Sequence, residues 1–142
     1  MPDRERFRFQ TRVRFADTDA SGRIHFTAMF RYFEAAEVEF LRTLDITYDA
    51  GASYNFPRVH VECDFLKMIS NDDLLDIEVS LTNLGRSSVR FEFQTFKGAG
   101  VAARGVVIAA CADRSSLRSV PIPESLRARL TGVLSRPGTS IE

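Results

Sequence analysis

Residues 29–44 read MFRYFEAAEVEFLRTL. Met29, Phe33, Ala36, Phe40, Leu41 and Leu44 recur at helical spacing, and Phe30 sits on the edge of the same arc. The stretch predicts a helix of ~24 Å at ~1.5 Å per residue. Its apolar stripe is wide and aromatic, so one face must be deeply buried.

Downstream, four strand-like stretches follow a turn region at 49–57, with no second long helix between them. Residues 58–67 place Val59, Val61, Cys63 and Phe65 on one face, and residues 74–83 do the same with Leu75, Ile77, Val79 and Leu81. Residues 87–97 group Val89, Phe91 and Phe93. Residues 101–112 are apolar almost throughout, as a central strand covered on both faces would be. The connections around 71–73, 85 and 98–100 are short and turn-like, which implies antiparallel neighbours. Residues 123–134 predict a short terminal helix with Leu126 and Leu130 inward. Upstream, residues 8–16 alternate, with Phe9, Thr11, Val13 and Phe15 on one side and Arg8, Gln10, Arg12 and Arg14 on the other. One long apolar helix must bury its face against one antiparallel sheet, so the class is α+β in a single domain, residues 1–142. The sheet's edges would be exposed, and dimerisation is one way to cover them. Residues 135–142 are polar and expected to be a flexible tail.

Composition narrows the function. The chain has 142 residues, 19 basic and 19 acidic, with no net charge. That balance argues against a nucleic-acid coat, which needs a basic patch. All the basic residues but Lys67 and Lys97 are arginine, a residue whose fork grips phosphate. No apolar run approaches the ~18–20 residues of a membrane span. The N-terminus shows no apolar secretory segment. Cys63 and Cys111 lie in strand-like stretches and read as buried free thiols of a cytoplasmic protein. With His25 and His60 they would make a zinc site only if all four converged, and no paired ligand spacing supports one, so no metal or cofactor is expected. Serine-hydrolase and P-loop motifs are absent.

The informative loop is Asp17-Thr18-Asp19-Ala20-Ser21-Gly22-Arg23-Ile24-His25-Phe26, just ahead of the helix. It holds two carboxylates, a glycine suited to positive φ and a histidine. It leads into a helix N-terminus, whose free N–H groups can stabilise an oxyanion. A carboxylate beside such a site can attack a carbonyl or activate water. Taken alone, the same residues also suit a purely structural loop, with Asp17 or Asp19 in an Asx-turn and Thr18 or Thr27 capping the helix.

The run from Val13 to Gly22, followed by His25-Phe26 and then by Phe30-Arg31-Tyr32-Phe33-Glu34-Ala35-Ala36, resembles the 4-hydroxybenzoyl-CoA thioesterase family of hotdog-fold acyl-CoA thioesterases. The resemblance extends through residues 61–66, 73–75 and the turn at 84–91, and covers about residues 8–113. It implies the hotdog fold, an antiparallel sheet wrapped around one long central helix. It also implies a homodimer with interfacial active sites, often paired into a homotetramer, that hydrolyses an acyl-CoA or aryl-CoA.

By motif position Asp19 matches the family's catalytic carboxylate, acting as nucleophile or general base, and Asp17 becomes structural. The N–H of Phe26 matches the group that polarises the thioester carbonyl. His25 stands where relatives often carry an aromatic residue, and binding or polarisation of water are the roles open to it. Arg86, Ser87 and Ser88 offer a guanidinium fork and two hydroxyls to CoA phosphates, though a solvated hairpin tip would read the same way. Arg58 and Lys67 are looser candidates, and His60 either faces solvent or lines the acyl pocket. Glu37 falls inside the helix's apolar arc, where a carboxylate is costly unless paired or protonated. The preferred reading sends it to the dimer interface to meet an arginine. Glu34 matches an acidic position of the family. Two other activities fit the scaffold: a non-catalytic acyl-CoA binding module, and an enoyl-CoA hydratase or dehydratase using Asp19 with His25. The match to the thioesterase loop favours hydrolysis.

Overall fold

In a computed structural model of the chain, residues 6–135 are described. Most of the tail expected at 135–142 lies outside them. The N-terminal alternation forms β1, Phe7–Arg12, with Phe7, Phe9 and Thr11 half-buried and the residues between them exposed. The strand ends earlier than the alternation suggests. Its partner strand begins at Leu74, opposite Arg12, and beyond that only Val13 still pairs, its N–H donating to the Asp73 carbonyl and its carbonyl accepting the Asp72 N–H. Val13 is still buried, but Phe15 sits in a single 3-10 turn, Phe15–Asp17, and is 80% exposed.

Helix α1, Ala28–Arg42, buries Met29, Tyr32, Phe33, Ala36, Glu37, Phe40 and Leu41 along one stripe. Its end is a Schellman motif. Asp45 takes positive φ (60°), its N–H donates to the Arg42 carbonyl, and the Ile46 N–H donates to the Leu41 carbonyl.

The remaining elements are β2 (Tyr54–Asn55), β3 (Arg58–Phe65), β4 (Leu74–Leu84), β5 (Ser88–Lys97), β6 (Gly100–Ala110), β7 (Ala112–Asp113) and α2 (Glu124–Thr131). Five strands form one antiparallel sheet in the order β1-β4-β5-β6-β3, and β2 pairs separately with β7. The α+β reading therefore holds. The stripe of α1 lies on the sheet: Phe33 stacks on Phe93 (centroids 4.6 Å apart) and Phe40 meets Phe91 edge-on. Gly105 of β6 makes room for this contact, because a methyl group there would lie 2.5 Å from the Phe33 Cζ and closer still to Cε2. On β6, Ala102, Ala103, Gly105, Val107 and Ala109 are buried, while the residues between them are half-buried.

β3 is a sheet edge. Val61, Cys63 and Phe65 share the helix-side face, opposite Val107, Gly105 and Ala103, yet Val61 is 46% and Phe65 45% exposed. A bulge between Arg58 and His60 shifts the register, so Arg58, opposite Ala109, joins that same face. The edge position also corrects the expectation for Cys63, which is half-buried, whereas Cys111 is buried; both thiols are free. Burial pushes the Cys63 thiol up to about 12.

Candidate active site

The loop ahead of α1 folds back on itself as a small hairpin. Thr18 bridges Ile24, the Asp19 N–H donates to the Arg23 carbonyl (2.8 Å), and the His25 N–H donates to the Asp17 carbonyl (2.8 Å). Gly22, at φ 81°, makes the tight reversal that an L side chain would strain. Ile24 is buried, and its N–H donates to the Ile69 carbonyl, while the Asn71 N–H donates to the Gly22 carbonyl. The loop is thus anchored to the segment before β4 as well as to α1.

Its two carboxylates have different fates. Asp17 is held by α1: the Tyr32 hydroxyl donates to Oδ2 (2.6 Å) and the Arg31 guanidinium to Oδ1. These bonds keep its carboxyl below the usual carboxylate range. Asp19 is exposed. Its Oδ1 accepts the Ser21 hydroxyl (2.5 Å) and the Ser21 N–H (2.8 Å), which hold it below the usual range, with a smaller pull from His25. The Ser21 N–H contact is an Asx-turn, a geometry a structural aspartate also adopts.

His25 Nδ1 lies 2.8 Å from the Thr27 hydroxyl, and the imidazole stacks on the Phe26 ring at 5.0 Å. Thr27 therefore precedes the helix without capping it through its side chain. Among the described residues the Phe26 N–H finds no acceptor, so the turn that leads from the loop into α1 keeps a donor free. Phe26 itself is 64% exposed. Asp19, His25 and Phe26 are all exposed within this one loop.

The turn at 85–88 is elsewhere. It follows Leu84, at the opposite end of β4 from Leu74 and the Asp19 loop. Those 11 residues span roughly 35 Å at ~3.3 Å each. A single chain does not bring Asp19 and Arg86 together. Nor is the turn a loose tip. Arg127 Nη2 donates to the Gly85 and Arg86 carbonyls (2.6 and 2.9 Å), and the Cys111 N–H donates to the Ser87 carbonyl (2.6 Å). The Arg86 side chain is exposed. Ser87 accepts the Ser119 hydroxyl at 3.0 Å, and Ser88 is half-buried at the start of β5.

Arg58 and His60 begin β3 at the same end. His60 faces outward against Glu62 (3.2 Å). Arg58 turns inward, and this corrects the reading of Glu37, whose arginine comes from its own chain. Arg58 Nη2 (2.7 Å) and the Tyr48 hydroxyl both donate to Glu37 Oε2. Burial pushes the Glu37 carboxyl up, and Arg58 and Tyr48 oppose that push. The bulge explains why the pair was hidden, since simple alternation puts Arg58 on the outer face with His60. Glu34 is a looser neighbour of Arg58, at 4.0 Å.

A cavity of about 310 Å³ also opens at this end, between α1, residues 46–56, β5 and α2. No motif announced it, because its walls come from five separate segments, Arg114 included. Among the described residues, no cluster of three or more His, Cys, Asp or Glu side chains is placed to hold a metal. No helix among them is long and apolar enough to cross a membrane.

Residues 13–130 match the thioesterase-like superfamily. The chain is similar to the acyl-CoA thioesterase YbgC of Haemophilus influenzae, with 27% identity over 86% of this chain and 92% of that one. It is similar to a 1,4-dihydroxy-2-naphthoyl-CoA hydrolase of Synechococcus elongatus, with 29% identity over 85% and 92%. Among solved structures it superposes on a hypothetical protein of Aquifex aeolicus with TM-score 0.82 and 28% identity, over 87% of this chain and 98% of that chain.

Proposed function

The chain belongs to the thioesterase-like superfamily of hotdog-fold proteins, and from that premise we propose that it hydrolyses an acyl-CoA thioester to a carboxylic acid and CoA. Within the superfamily we group it with the 4-hydroxybenzoyl-CoA thioesterases, on the strength of its D-T-D-x-x-G loop. One observation carries the reading. An anchored hairpin carries an exposed Asp19, its carboxyl held below the usual range, in the same loop as the Phe26 N–H, which has no acceptor among the described residues. Asp17 is committed to Arg31 and Tyr32 and does not compete for the role.

In this reading the Phe26 N–H polarises the thioester carbonyl and stabilises the oxyanion as the tetrahedral centre forms. Asp19 either attacks that carbon, expelling the CoA thiolate to give a mixed anhydride that water then cleaves to the acid and free Asp19, or takes a proton from the attacking water. The CoA thiolate leaves readily. His25, held by Thr27, orients water or the acyl group. Arg86, Ser87 and Ser88 receive CoA phosphates, with Arg58 and His60 beside them at the same end of the sheet. Because that end is remote from Asp19 in one chain, the site is built from two copies related by a two-fold axis, each giving its carboxylate loop to the other's phosphate turn.

Release of free thiol from a panel of CoA esters tests the assignment. Asp19→Ala and Asp19→Asn should lower kcat/KM by at least ~10³-fold without changing the melting temperature. A folded Asp19→Ala protein of full activity would refute it.

A further inference from the structure

We propose that the cavity beneath residues 46–56 is the pocket for the thioester's acyl group, and that it admits a compact apolar acyl group of about ten heavy atoms. This deepens the hydrolase reading and rests on it. The cavity measures about 310 Å³. That is at the low end of the ~300–1,000 Å³ of ligand pockets and equals about ten water volumes of ~30 Å³ each. Leu41, Phe91 and Leu130 form its inner wall, and Tyr48, Ala52 and Tyr54 its outer one. Asp49 and Arg114 also line it, but most of the lining is apolar and suits hydrocarbon.

The outer wall is held in place rather than left to collapse into the space. The Schellman turn at Asp45 sets its start. Tyr48 is tied to the buried Glu37, which Arg58 also holds. Arg114 donates to the carbonyls of Ala52 (2.7 Å), Asp49 (3.2 Å) and Tyr54 (3.3 Å), and β2 pairs with β7. Unfilled apolar space forgoes packing contacts, so a loop strapped open from several sides points to an occupant.

Position supports the same occupant. Val89 lines the cavity directly after the 85–88 turn, and Leu126 lines it beside Arg127, which grips that turn. Acyl group and phosphates would thus be held at one end of one chain. The chain's own Asp19 lies beyond the far end of α1, a helix of 15 residues and about 22 Å. The carboxylate that meets this acyl group therefore belongs to a second copy.

The test uses acetyl-, octanoyl-, 1-naphthoyl- and hexadecanoyl-CoA with the full chain. Ala52→Phe fills the cavity from the loop and Leu130→Phe from α2, with folding followed by thermal melts. Both should cut the octanoyl-to-acetyl ratio of kcat/KM at least ~10-fold. The octanoyl and naphthoyl arms separate alkyl from aryl substrates. Folded variants with an unchanged ratio would overturn the pocket and leave the hydrolase reading standing. Should wild type hydrolyse none of the esters, octanoate binding by calorimetry decides: loss in both variants supports the pocket, and unchanged binding refutes it. Independently of any variant, the non-hydrolysable octanoyl thioether of CoA should slow hydrogen exchange across 46–56 in wild type, and no slowing would refute the pocket. Finally, a purified heterodimer of Asp19→Ala with Ala52→Phe contains one intact composite site and should regain roughly half of wild-type octanoyl-CoA activity. A heterodimer as inactive as its parents would show that pocket and carboxylate act within one chain.

Discussion

At the residue scale, the two aspartates of the loop differ only in what reaches them. Their spacing is legible in the sequence, but their division of labour depends on Arg31 and Tyr32, adjacent residues early in α1 that both turn toward Asp17. Asp19 is left with Ser21, whose hydroxyl and N–H keep its pKa below the ordinary carboxylate range. The depressed value keeps Asp19 ionised at neutral pH, and activity should fail only when acid protonates it. Ser21→Ala removes the larger of the two bonds. The Asp19 pKa should then rise toward that of an ordinary aspartate, and the acid limb of the kcat/KM profile should move to higher pH. A profile that does not move would show that Asp19 is not the group titrating there. Glu37 teaches the complementary lesson. Its awkward place in an apolar arc was visible, while its partner was not, because a bulge at the start of β3 reverses the direction that alternation assigns to Arg58.

At the element scale, periodicity identified the five strands of the main sheet and the long helix but not β2, which lies in the stretch read as a turn region, and it failed where coverage rather than period decides. Residues 101–112 read as apolar on both faces, and nothing in that run says which small residue touches the helix. Contact with Phe33 singles out Gly105. Phe33 is fully buried and stacked on Phe93, so its ring has no free space to enter. Gly105→Ala should therefore destabilise the protein by ~1–3 kcal/mol, measured by urea unfolding. Phe33→Leu vacates the space the new methyl group needs. The double variant should lose less than the sum of its singles, since residues in contact are not additive. Strict additivity would mean that the helix does not press on β6 at this point. The same limit explains the strand that ended early. Val13 and Phe15 continue the alternation, but without a neighbouring strand Phe15 turns out to solvent.

At the scale of the whole molecule, the sequence singled out the Asp19 loop and the 85–88 turn without revealing that the fold sets them at opposite ends of one sheet. In the proposed site contact across that distance is made by a second copy, and β3 offers it an edge. Among the described residues no strand pairs with its outer edge. Beside that edge Val61 and Phe65 lie open on the helix side, and Leu66 and Met68 continue the apolar strip. Two such edges paired about a two-fold axis run antiparallel, which carries the loop of one copy to the turn of the other. Val61→Lys places a charge on that strip at a position about half exposed in the single chain. The isolated fold should tolerate it within about 0.5 kcal/mol, as it would an ordinary surface change, whereas an interface there would bury an unpaired ammonium. Sedimentation should then find a dimer or larger assembly for wild type and a monomer for Val61→Lys. Thiol release should fall at least ~100-fold in a protein that still unfolds cooperatively. Full activity from a Val61→Lys monomer would mean that one chain completes the site alone, and the two-copy arrangement would have to be abandoned.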